Sequence, residues 1–377
     1  WNKTPESFSE RVPAYPLVFL PCLIKNSTTS GRRMTMSLDA IKKSLNKKFK
    51  SEILGLGSCV PKIERIPFSS PRLNYLTRGG VPWPGIIEIS GAESSGKSTL
   101  LADLTMQSQK KGLLCSLTDT ENKVDIDYWK WLGVDVDNLL VCNPVGLSGE
   151  DILQLQLDLM AEGVQFLGLD SVASLVPKSV LNGDMEDKTY CGSSGIMSTF
   201  SQKISGSGIV NANKITFVGI NQVRDKIGGF GLHTPAGHFW KHICSCRIQL
   251  SRGNPFNEAY TQMPHSTQEQ TSGHWIEVRL LKNQFSKNDR RFNMFTLHYT
   301  KGIDIAEDLI DVAIELGIIH KGGAWYRVID LETGELVSIN DEELKFQGRA
   351  SIRHFLNENP KILKWLEMQV NSRITEV

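Results

Sequence analysis

Apolar and polar residues alternate along residues 85–222 in a pattern that predicts strands and helices following one another. Helical patterns occupy 99–109, 128–132 and 151–162. Between them lie short apolar runs, at 85–90, 113–118, 139–142, 166–170 and 215–222. The last two runs are almost continuously apolar, which is typical of parallel strands covered on both faces. We therefore predict an α/β core with a mostly parallel sheet.

The pattern changes after residue 245. Strands predicted at 247–250, 275–281 and 293–299 have no helices between them, which indicates an antiparallel extension of the sheet. Residues 302–377 then show three amphipathic helical patterns around a short hairpin at 324–338. The helices are predicted at 306–317, 350–357 and 360–371. This segment is predicted to be a small α+β domain at the C-terminal end.

The N-terminal region has two parts. Residues 1–35 look foreign to the rest, and we expect them to be a non-native extension, with native translation beginning at Met34 or Met36. Residues 37–50 predict an amphipathic helix, because apolar residues recur at spacings of three and four between lysines. So short a helix must dock on something, either its own domain or a neighbouring subunit. The predicted units are 1–35, 36–63, 64–301 and 302–377.

Composition narrows the class of protein. Of the 377 residues, 40% are hydrophobic and 22% charged, as is ordinary for a soluble globular protein. The net charge of +1 means that any nucleic-acid surface must be a local patch. Seven scattered cysteines argue against a disulfide framework and favour the reducing cytoplasm. No apolar run approaches the length of a membrane span, so we expect no membrane association.

Residues 91–98 carry the clearest chemistry. They fit the pattern G-x-x-x-x-G-K-[ST], between a predicted strand and a predicted helix. Glycines let consecutive backbone N–H groups converge on phosphate oxygens, and the helix N-terminus adds positive potential. Lys97 would reach the terminal phosphates of a nucleoside triphosphate, and the hydroxyl of Ser98 would ligate Mg²⁺.

Two carboxylates complete the predicted nucleotide chemistry. Asp170 ends an apolar strand about 70 residues after the phosphate loop, where an acid holds Mg²⁺ through water. Glu121 ends the strand predicted to lie beside the loop, where it can orient and deprotonate the attacking water. Alternatively, Glu121 is a solvated loop carboxylate.

The order and spacing of these motifs resemble the RecA recombinases of bacteria and bacteriophages. The resemblance covers about residues 36–373, and it rests on six ordered segments. They are Gly91–Thr99, Asp119–Glu121, Leu132–Leu140, Asp170–Lys178, Asn221–Gly228 and Gly323–Tyr326. It implies an ATP-dependent enzyme of homologous recombination, DNA repair and the SOS response. Such an enzyme forms filaments on single-stranded DNA and exchanges strands with homologous double-stranded DNA.

The resemblance also implies roles for individual residues. ATP and Mg²⁺ would be held by Gly91, Ala92, Glu93, Ser94, Ser95, Gly96, Lys97, Ser98, Thr99, Asp125, Tyr128 and Asp170. Lys97, Glu121 and Gln222 would be catalytic, and the Gln222 amide would sense the γ-phosphate. Asp125 and Tyr128 would contact adenine, and a tyrosine suits this role because a purine stacks on an aromatic face. The alternative for Tyr128 is simple helix packing.

DNA and subunit contacts are implied on later segments. Arg224, Lys226, Ile227 and Phe230 resemble the second DNA-binding loop, and Tyr190 falls in a poorer match to the first. Lys241, His242 and Lys282 would form the subunit interface, with Lys282 reaching the neighbouring subunit's ATP. The family's second lysine is Gln284 here, and an expected arginine is Gly195. Further basic patches are predicted at Lys282, Lys287, Arg290, Arg291, Arg349 and Arg353, and the alternative is that these residues form an ordinary solvated face.

Three other interpretations stay open. A ring helicase motor shares the nucleotide core, and an ATP-gated DNA scaffold would show little turnover. His238, His242, Cys244 and Cys246 are metal-capable residues within nine positions. However, the C-x-C spacing is tighter than that of usual structural zinc pairs, and both cysteines lead into a strand. Packing and interface roles are therefore favoured over zinc.

Overall fold

The computed structural model describes residues 37–60, 62–184, 192–225, 232–264, 271–287, 289–339 and 342–376. The helices of these residues are α1 (Leu38–Phe49), α2 (Pro71–Thr77), α3 (Lys97–Lys110), α4 (Ile126–Trp131), α5 (Gly149–Ala161), α6 (Lys178–Leu181), α7 (Ser193–Ser207), α8 (Ile209–Ala212), α9 (Gly237–Ile243), α10 (Ile305–Glu315), α11 (Arg349–Glu358) and α12 (Pro360–Glu376). None of them is long and apolar enough to cross a lipid bilayer.

The strands follow the predicted order closely. They are β1 (Glu64–Ile66), β2 (Val81–Trp83), β3 (Gly85–Gly91), β4 (Cys115–Asp119), β5 (Leu139–Cys142), β6 (Phe166–Asp170), β7 (Thr216–Gln222), β8 (Arg224–Asp225), β9 (Leu232–His233), β10 (Cys246–Phe256), β11 (Gly273–Asn283), β12 (Phe292–His298), β13 (Gly302–Ile303), β14 (Ile319–Gly322), β15 (Trp325–Val328), β16 (Ser338–Ile339), β17 (Glu342–Glu343) and β18 (Lys345–Gln347).

Nine of these strands form the central sheet, in the spatial order β13-β12-β11-β10-β3-β7-β6-β4-β5. The six strands from β10 to β5 are parallel to one another. β11, β12 and β13 continue the sheet with antiparallel pairing. The predicted parallel core and its antiparallel extension are both confirmed. Because the parallel strands all end at one edge, the polar residues that follow them are brought together.

Two hydrophobic clusters cover the two faces of this sheet. One contains Ile87 and Ile89 of β3 with Leu100 and Leu104 of α3, and the other contains Phe217 of β7 with helices α5, α7 and α9. Neighbouring residues of one strand point to opposite faces, so β3 contributes to both clusters. Burial on both faces explains why the central strands are read as apolar runs in the sequence.

A third cluster surrounds the C-terminal helices. It joins α10, α11 and α12 with strands β14 and β15, through residues such as Leu309, Ile319 and Leu366. The hairpin here is β14–β15, pairing Ile319 with Val328, so it lies N-terminal to the predicted 324–338. Gly323, at φ +58°, accounts for the turn, because the left-handed region favours glycine.

The N-terminal helix is an exception to this burial. Ser37 caps α1, as its side chain accepts a hydrogen bond from the N–H of Ala40. None of the twelve residues of α1 is buried, and Leu38 and Phe49 are 73% and 59% exposed. The apolar stripe of α1 is therefore not covered by the described part of its own chain.

Candidate nucleotide-binding site

The phosphate loop connects β3 to α3 with a backbone that requires glycine. A Cβ atom on Gly91 would lie 2.3 Å from the Ser95 Oγ and 2.6 Å from the Leu250 carbonyl oxygen. Gly96 adopts φ +89° directly before the first residue of α3. Ser95 donates to the Ala92 carbonyl at 2.8 Å, which closes the loop on itself. The free N–H groups at the start of α3 then face the loop, as a phosphate site requires.

A cleft of about 670 Å³ opens over this loop. Most of the residues predicted to contact ATP line it, namely Gly91, Ala92, Glu93, Ser94, Lys97, Ser98, Glu121, Asp125, Tyr128, Asp170 and Gln222. Ser95, Gly96 and Thr99 shape the loop and the first turn of the helix without lining the cleft. The cleft is also lined by Asp119, Lys123 and Val124, for whose side chains no role was predicted.

Lys97 and Asp170 are two charged residues of the cleft whose pKa values are shifted. The Lys97 ammonium donates to the Ala92 carbonyl at 2.6 Å. Burial lowers the pKa of Lys97, while the carboxylates of Asp170, Glu121 and Glu93 act in the opposite direction. Burial likewise raises the pKa of the Asp170 carboxyl, against the hydrogen bond from Ser98. The charges of Glu121 and Asp119 raise the pKa of Asp170 further, whereas the charge of Lys97 lowers it.

Ser98 and Asp170 form an oxygen pair suited to Mg²⁺. The Ser98 hydroxyl donates to Asp170 Oδ2 at 2.8 Å. Among the described residues no group of three or more His, Cys, Asp or Glu side chains could hold a metal ion. Mg²⁺ does not need such a cage, because it is commonly bound by one or two protein oxygens together with substrate phosphates. The residues present therefore fit this ion.

Glu121 lies between a sensor-like amide and a lysine. Its Oε1 accepts from Gln222 Nε2 at 3.2 Å, and its Oε2 accepts from Lys123 Nζ at 3.1 Å. The hydrogen bond between Lys123 and Glu121, together with the negative charge of Glu121, raises the pKa of Lys123. The Asp119 carboxylate accepts from the backbone N–H groups of Glu121 and Val124, which fixes the turn after β4. The carboxylate of Glu121 is thus held at the edge of the sheet. The prediction that its strand lies beside the phosphate-loop strand is wrong, because β7 and β6 lie between β3 and β4.

The base end of the cleft is formed by α4. Asp125 caps this helix by accepting from the Tyr128 N–H. The Tyr128 hydroxyl lies 3.3 Å from Thr99 Oγ1. The Tyr128 ring stacks on Trp131, with 5.7 Å between centroids and 20° between planes. An aromatic face backed by a second ring is a suitable platform for a purine.

The predicted interface residues lie on a separate surface. Lys241, His242 and Lys282 line a shallow pocket with His238 and Phe239. The Lys282 ammonium donates to the carbonyls of Lys241 and His242, at 3.3 and 2.5 Å, at the C-terminal end of α9. The structure therefore does not bring Lys282 into the nucleotide cleft of its own chain.

The predicted DNA contacts are described only in part. Arg224 is exposed and begins β8, two residues after the end of β7. Tyr190, Lys226, Ile227 and Phe230 lie outside the described residues.

The predicted basic patch on the terminal domain is not supported. Arg349 donates to Glu307 at 2.6 Å and to Asp311 at 2.5 Å, and Arg353 donates to Glu307 at 3.0 Å. These arginines are engaged by acids of α10, because the fold brings α11 against α10.

The cysteines and histidines of 238–246 do not gather around one point. Cys244 belongs to the hydrophobic cluster of α5, α7 and α9, whereas Cys246 belongs to the cluster on the opposite face of the sheet. Burial raises the pKa of the Cys246 thiol to about 12, so this thiol does not readily become a thiolate ligand.

A buried network beneath the cleft was not found from the sequence. Glu88, in the middle of β3, is fully buried. Its carboxylate accepts from Asn221 Nδ2, Trp240 Nε1 and Arg247 Nε, at 2.9, 3.1 and 2.5 Å. One indication of this network is present in the sequence, namely that Glu88 is an acid inside an apolar strand. A buried carboxylate is stable only when other groups donate hydrogen bonds to it.

A phosphate loop, a hydroxyl–carboxylate pair and a positioned glutamate at one sheet edge define a P-loop nucleoside triphosphatase. The RecA N-terminal domain family matches residues 32–304, and the RecA C-terminal domain family matches residues 307–375. The chain therefore belongs to the RecA family. It is accordingly a DNA-dependent ATPase of homologous recombination and DNA repair, from a family that binds ATP and DNA and forms filaments.

Individual relatives are similar over most of the chain. Protein RecA of Campylobacter lari is 34% identical over 346 residues, which cover 90% of this chain and 93% of the relative. Protein RecA of Ruminococcus albus is 32% identical over 359 residues, which cover 93% of this chain and 84% of the relative. Protein RecA of Rickettsia bellii is 33% identical over 303 residues, which cover 79% of this chain and 81% of the relative.

Proposed function

We propose that MgATP bound in the cleft at residues 91–98 controls whether subunits of this protein remain assembled on single-stranded DNA, where they exchange strands with a homologous duplex. The observation that carries this proposal is the convergence of Lys97, Ser98, Asp170 and Glu121 with Gln222 in one cleft. We place this activity in the cytoplasm, where reducing conditions suit the five unpaired cysteines of the described residues.

Each side chain has a distinct task in ATP hydrolysis. Lys97 would offset the charge of the terminal phosphates, and Ser98 and Asp170 would hold Mg²⁺. The ion, when bound, supplies further charge neutralisation at the phosphates. Glu121 would orient the attacking water and accept its proton. The Gln222 amide now donates to Glu121, and it would donate to a γ-phosphate oxygen instead, which moves the end of β7.

The need for a filament follows from the cost of opening DNA. Stacking contributes on the order of 1.4 kcal/mol per base step, so opening ten steps costs roughly 14 kcal/mol. A head-to-tail interface that does not close produces a helical polymer, which spreads this cost over many subunits. The uncovered apolar stripe of α1 supports such an interface, as does the surface formed by Lys241, His242 and Lys282.

Contacts with DNA would begin where β7 ends. Arg224, two residues beyond Gln222, is exposed and can meet a phosphate without reading sequence. The proposed contacts of Lys226, Ile227, Phe230 and Tyr190 stay predictions.

A DNA-stimulated ATPase assay tests the proposal. Hydrolysis is measured with and without single-stranded DNA over a range of salt concentrations, for the wild type, Lys97→Ala and Lys110→Ala. Lys110 lies at the other end of α3, outside the cleft, and is the matched control. We expect strong stimulation in the wild type and the control, and loss of hydrolysis in Lys97→Ala. Normal hydrolysis by Lys97→Ala would refute the site assignment.

Electron microscopy separates the remaining alternatives. Extended filaments on single-stranded DNA that require nucleotide are expected. Rings would favour a helicase motor, and filaments with negligible turnover would favour a scaffold.

A further inference from the structure

The buried carboxylate of Glu88 joins three separate segments of the chain. Its hydrogen bonds come from Asn221 at the end of β7, Trp240 in α9 and Arg247 in β10. Arg247 also donates to Thr234 at 3.4 Å. A carboxylate with three donors, one of them a guanidinium, is stable inside a protein, whereas losing any donor is costly.

Asn221 ties this network to the nucleotide edge. Its Nδ2 donates to Glu88 and to the Pro235 carbonyl, at 2.9 and 3.1 Å, and its Oδ1 accepts from the N–H of Gln222 at 3.0 Å. Gln222 in turn donates to Glu121. A displacement of Gln222 therefore acts directly on the side chain that binds Glu88.

Trp240 ties the same network to α9. Its indole lies against β7 at Gly219, where a Cβ atom would come within 2.9 Å of the ring. The ring also meets Phe217 edge-on, with 6.0 Å between centroids. The next two residues, Lys241 and His242, provide the carbonyls that accept from Lys282. Because buried side chains are close-packed, α9 cannot stay in place when the end of β7 moves.

We propose that Glu88 and Trp240 are positioning residues that couple the nucleotide cleft to α9, so that the occupant of the cleft sets the placement of the surface formed by Lys241, His242 and Lys282. This inference rests on the proposed function of the cleft. Of the contacts that join the cleft to α9, the hydrogen bond from the Trp240 indole to Glu88 can be removed with the smallest change in side-chain volume. Neither residue contacts the nucleotide cleft itself.

The test compares Trp240→Phe with Met160→Ala. Trp240→Phe retains an aromatic ring but removes the N–H donor. Met160→Ala disturbs the same hydrophobic cluster from α5 and leaves the indole hydrogen bond and the contact with Phe217 in place. The measured quantity is the ratio of the ATP turnover number with single-stranded DNA to that without DNA. Thermal melting of both variants reports the structural cost.

We expect Trp240→Phe to keep its DNA-independent turnover within about twofold of wild type, while the ratio falls about tenfold. This loss corresponds to the lower end of what one hydrogen bond to a charged group contributes. Met160→Ala should keep the wild-type ratio even if its melting temperature falls as far as that of Trp240→Phe. Equal ratios in wild type and Trp240→Phe would overturn the inference, whereas a wild type without DNA-stimulated hydrolysis would refute the proposed function instead.

A second measurement needs no variant. Hydrogen exchange of the wild-type chain is compared with and without a non-hydrolysable ATP analogue, at a concentration where light scattering shows no assembly. Altered protection of the amides of α9, with β12 unchanged, is expected. No change in α9 despite saturation by the analogue would contradict the coupling.

Discussion

Gln222 Nε2 lies 3.2 Å from Glu121 Oε1, although 101 residues separate them in the chain. Gln222 ends β7 and Glu121 lies two residues beyond the end of β4, and these strands are separated by β6 in the sheet. A single donor thus connects the group that would sense phosphate with the group that would activate water. Under the proposed function, hydrolysis and the signal to the rest of the subunit would therefore begin at one contact.

Glu121→Gln should separate ATP binding from hydrolysis. The amide keeps the size of the side chain but cannot accept the proton of water, so we expect turnover to fall about 10²- to 10⁴-fold. Affinity for an ATP analogue should change little, and filaments should persist longer on DNA. Asp127→Asn, an exposed acid of α4, is the control. Turnover within threefold of wild type would remove Glu121 from the mechanism.

Gly91→Ala should abolish nucleotide binding. The new methyl group would lie 2.3 Å from Ser95 Oγ and 2.6 Å from a backbone oxygen of β10, so the loop must shift. Equilibrium binding of a fluorescent ATP analogue measures the loss. Gly57→Ala has open space around its Cβ and should bind as wild type does. Normal affinity in Gly91→Ala would show that the loop conformation is not required.

Protonation of the buried His274 should lower the free energy of unfolding at acid pH. Burial lowers the pKa of His274 to about 4, below its ordinary value of 6.5, and neither ring nitrogen has a hydrogen-bond partner among the described residues. The folded state therefore binds fewer protons than the unfolded state between pH 6.5 and 4. The contribution of the neutral imidazole to the free energy of unfolding, about 3 kcal/mol, is present above pH 6.5 and lost as the pH falls to 4.

Urea unfolding of the wild type and His274→Leu at pH 7, 5 and 4 measures this effect. The difference in unfolding free energy between the two proteins isolates the imidazole from the other titrating groups. We expect the variant to gain stability relative to wild type as the pH falls. A difference independent of pH would show that His274 does not titrate as inferred.

Arg349→Met should affect stability and leave DNA binding unchanged. The guanidinium forms ion pairs with Glu307, whose side chain is only 5% exposed, and with Asp311. Removing it leaves Glu307 with Arg353 alone, so we expect a lower melting temperature. The salt dependence of binding to double-stranded DNA should equal that of Arg327→Met, an exposed control. A selective loss of DNA affinity would restore Arg349 to a DNA-binding role.

Elements that depend on residues close together in the chain were predicted well. The strand and helix around the phosphate loop follow from their periodicity, and the loop between them follows from glycines that no other residue can replace. The hairpin of the terminal domain was placed too far along the chain, because its turn depends on Gly323 and its pairing on the neighbouring β18. Arg349 and Arg353 were assigned to a surface, because nothing in the sequence shows that α10 carries their acidic partners.

The sequence by itself determined the α/β class, the phosphate loop and the acids that follow β4 and β6, since each depends on residues close together in the chain. Tertiary structure alone decided that Glu121 meets Gln222, that Lys282 caps α9 outside the cleft and that Glu88 gathers Asn221, Trp240 and Arg247. The physical reason is that hydrogen bonds and charge pairs between distant segments depend on strand order and register. A pattern of apolar residues predicts that a strand exists, but it does not state which strand lies beside it.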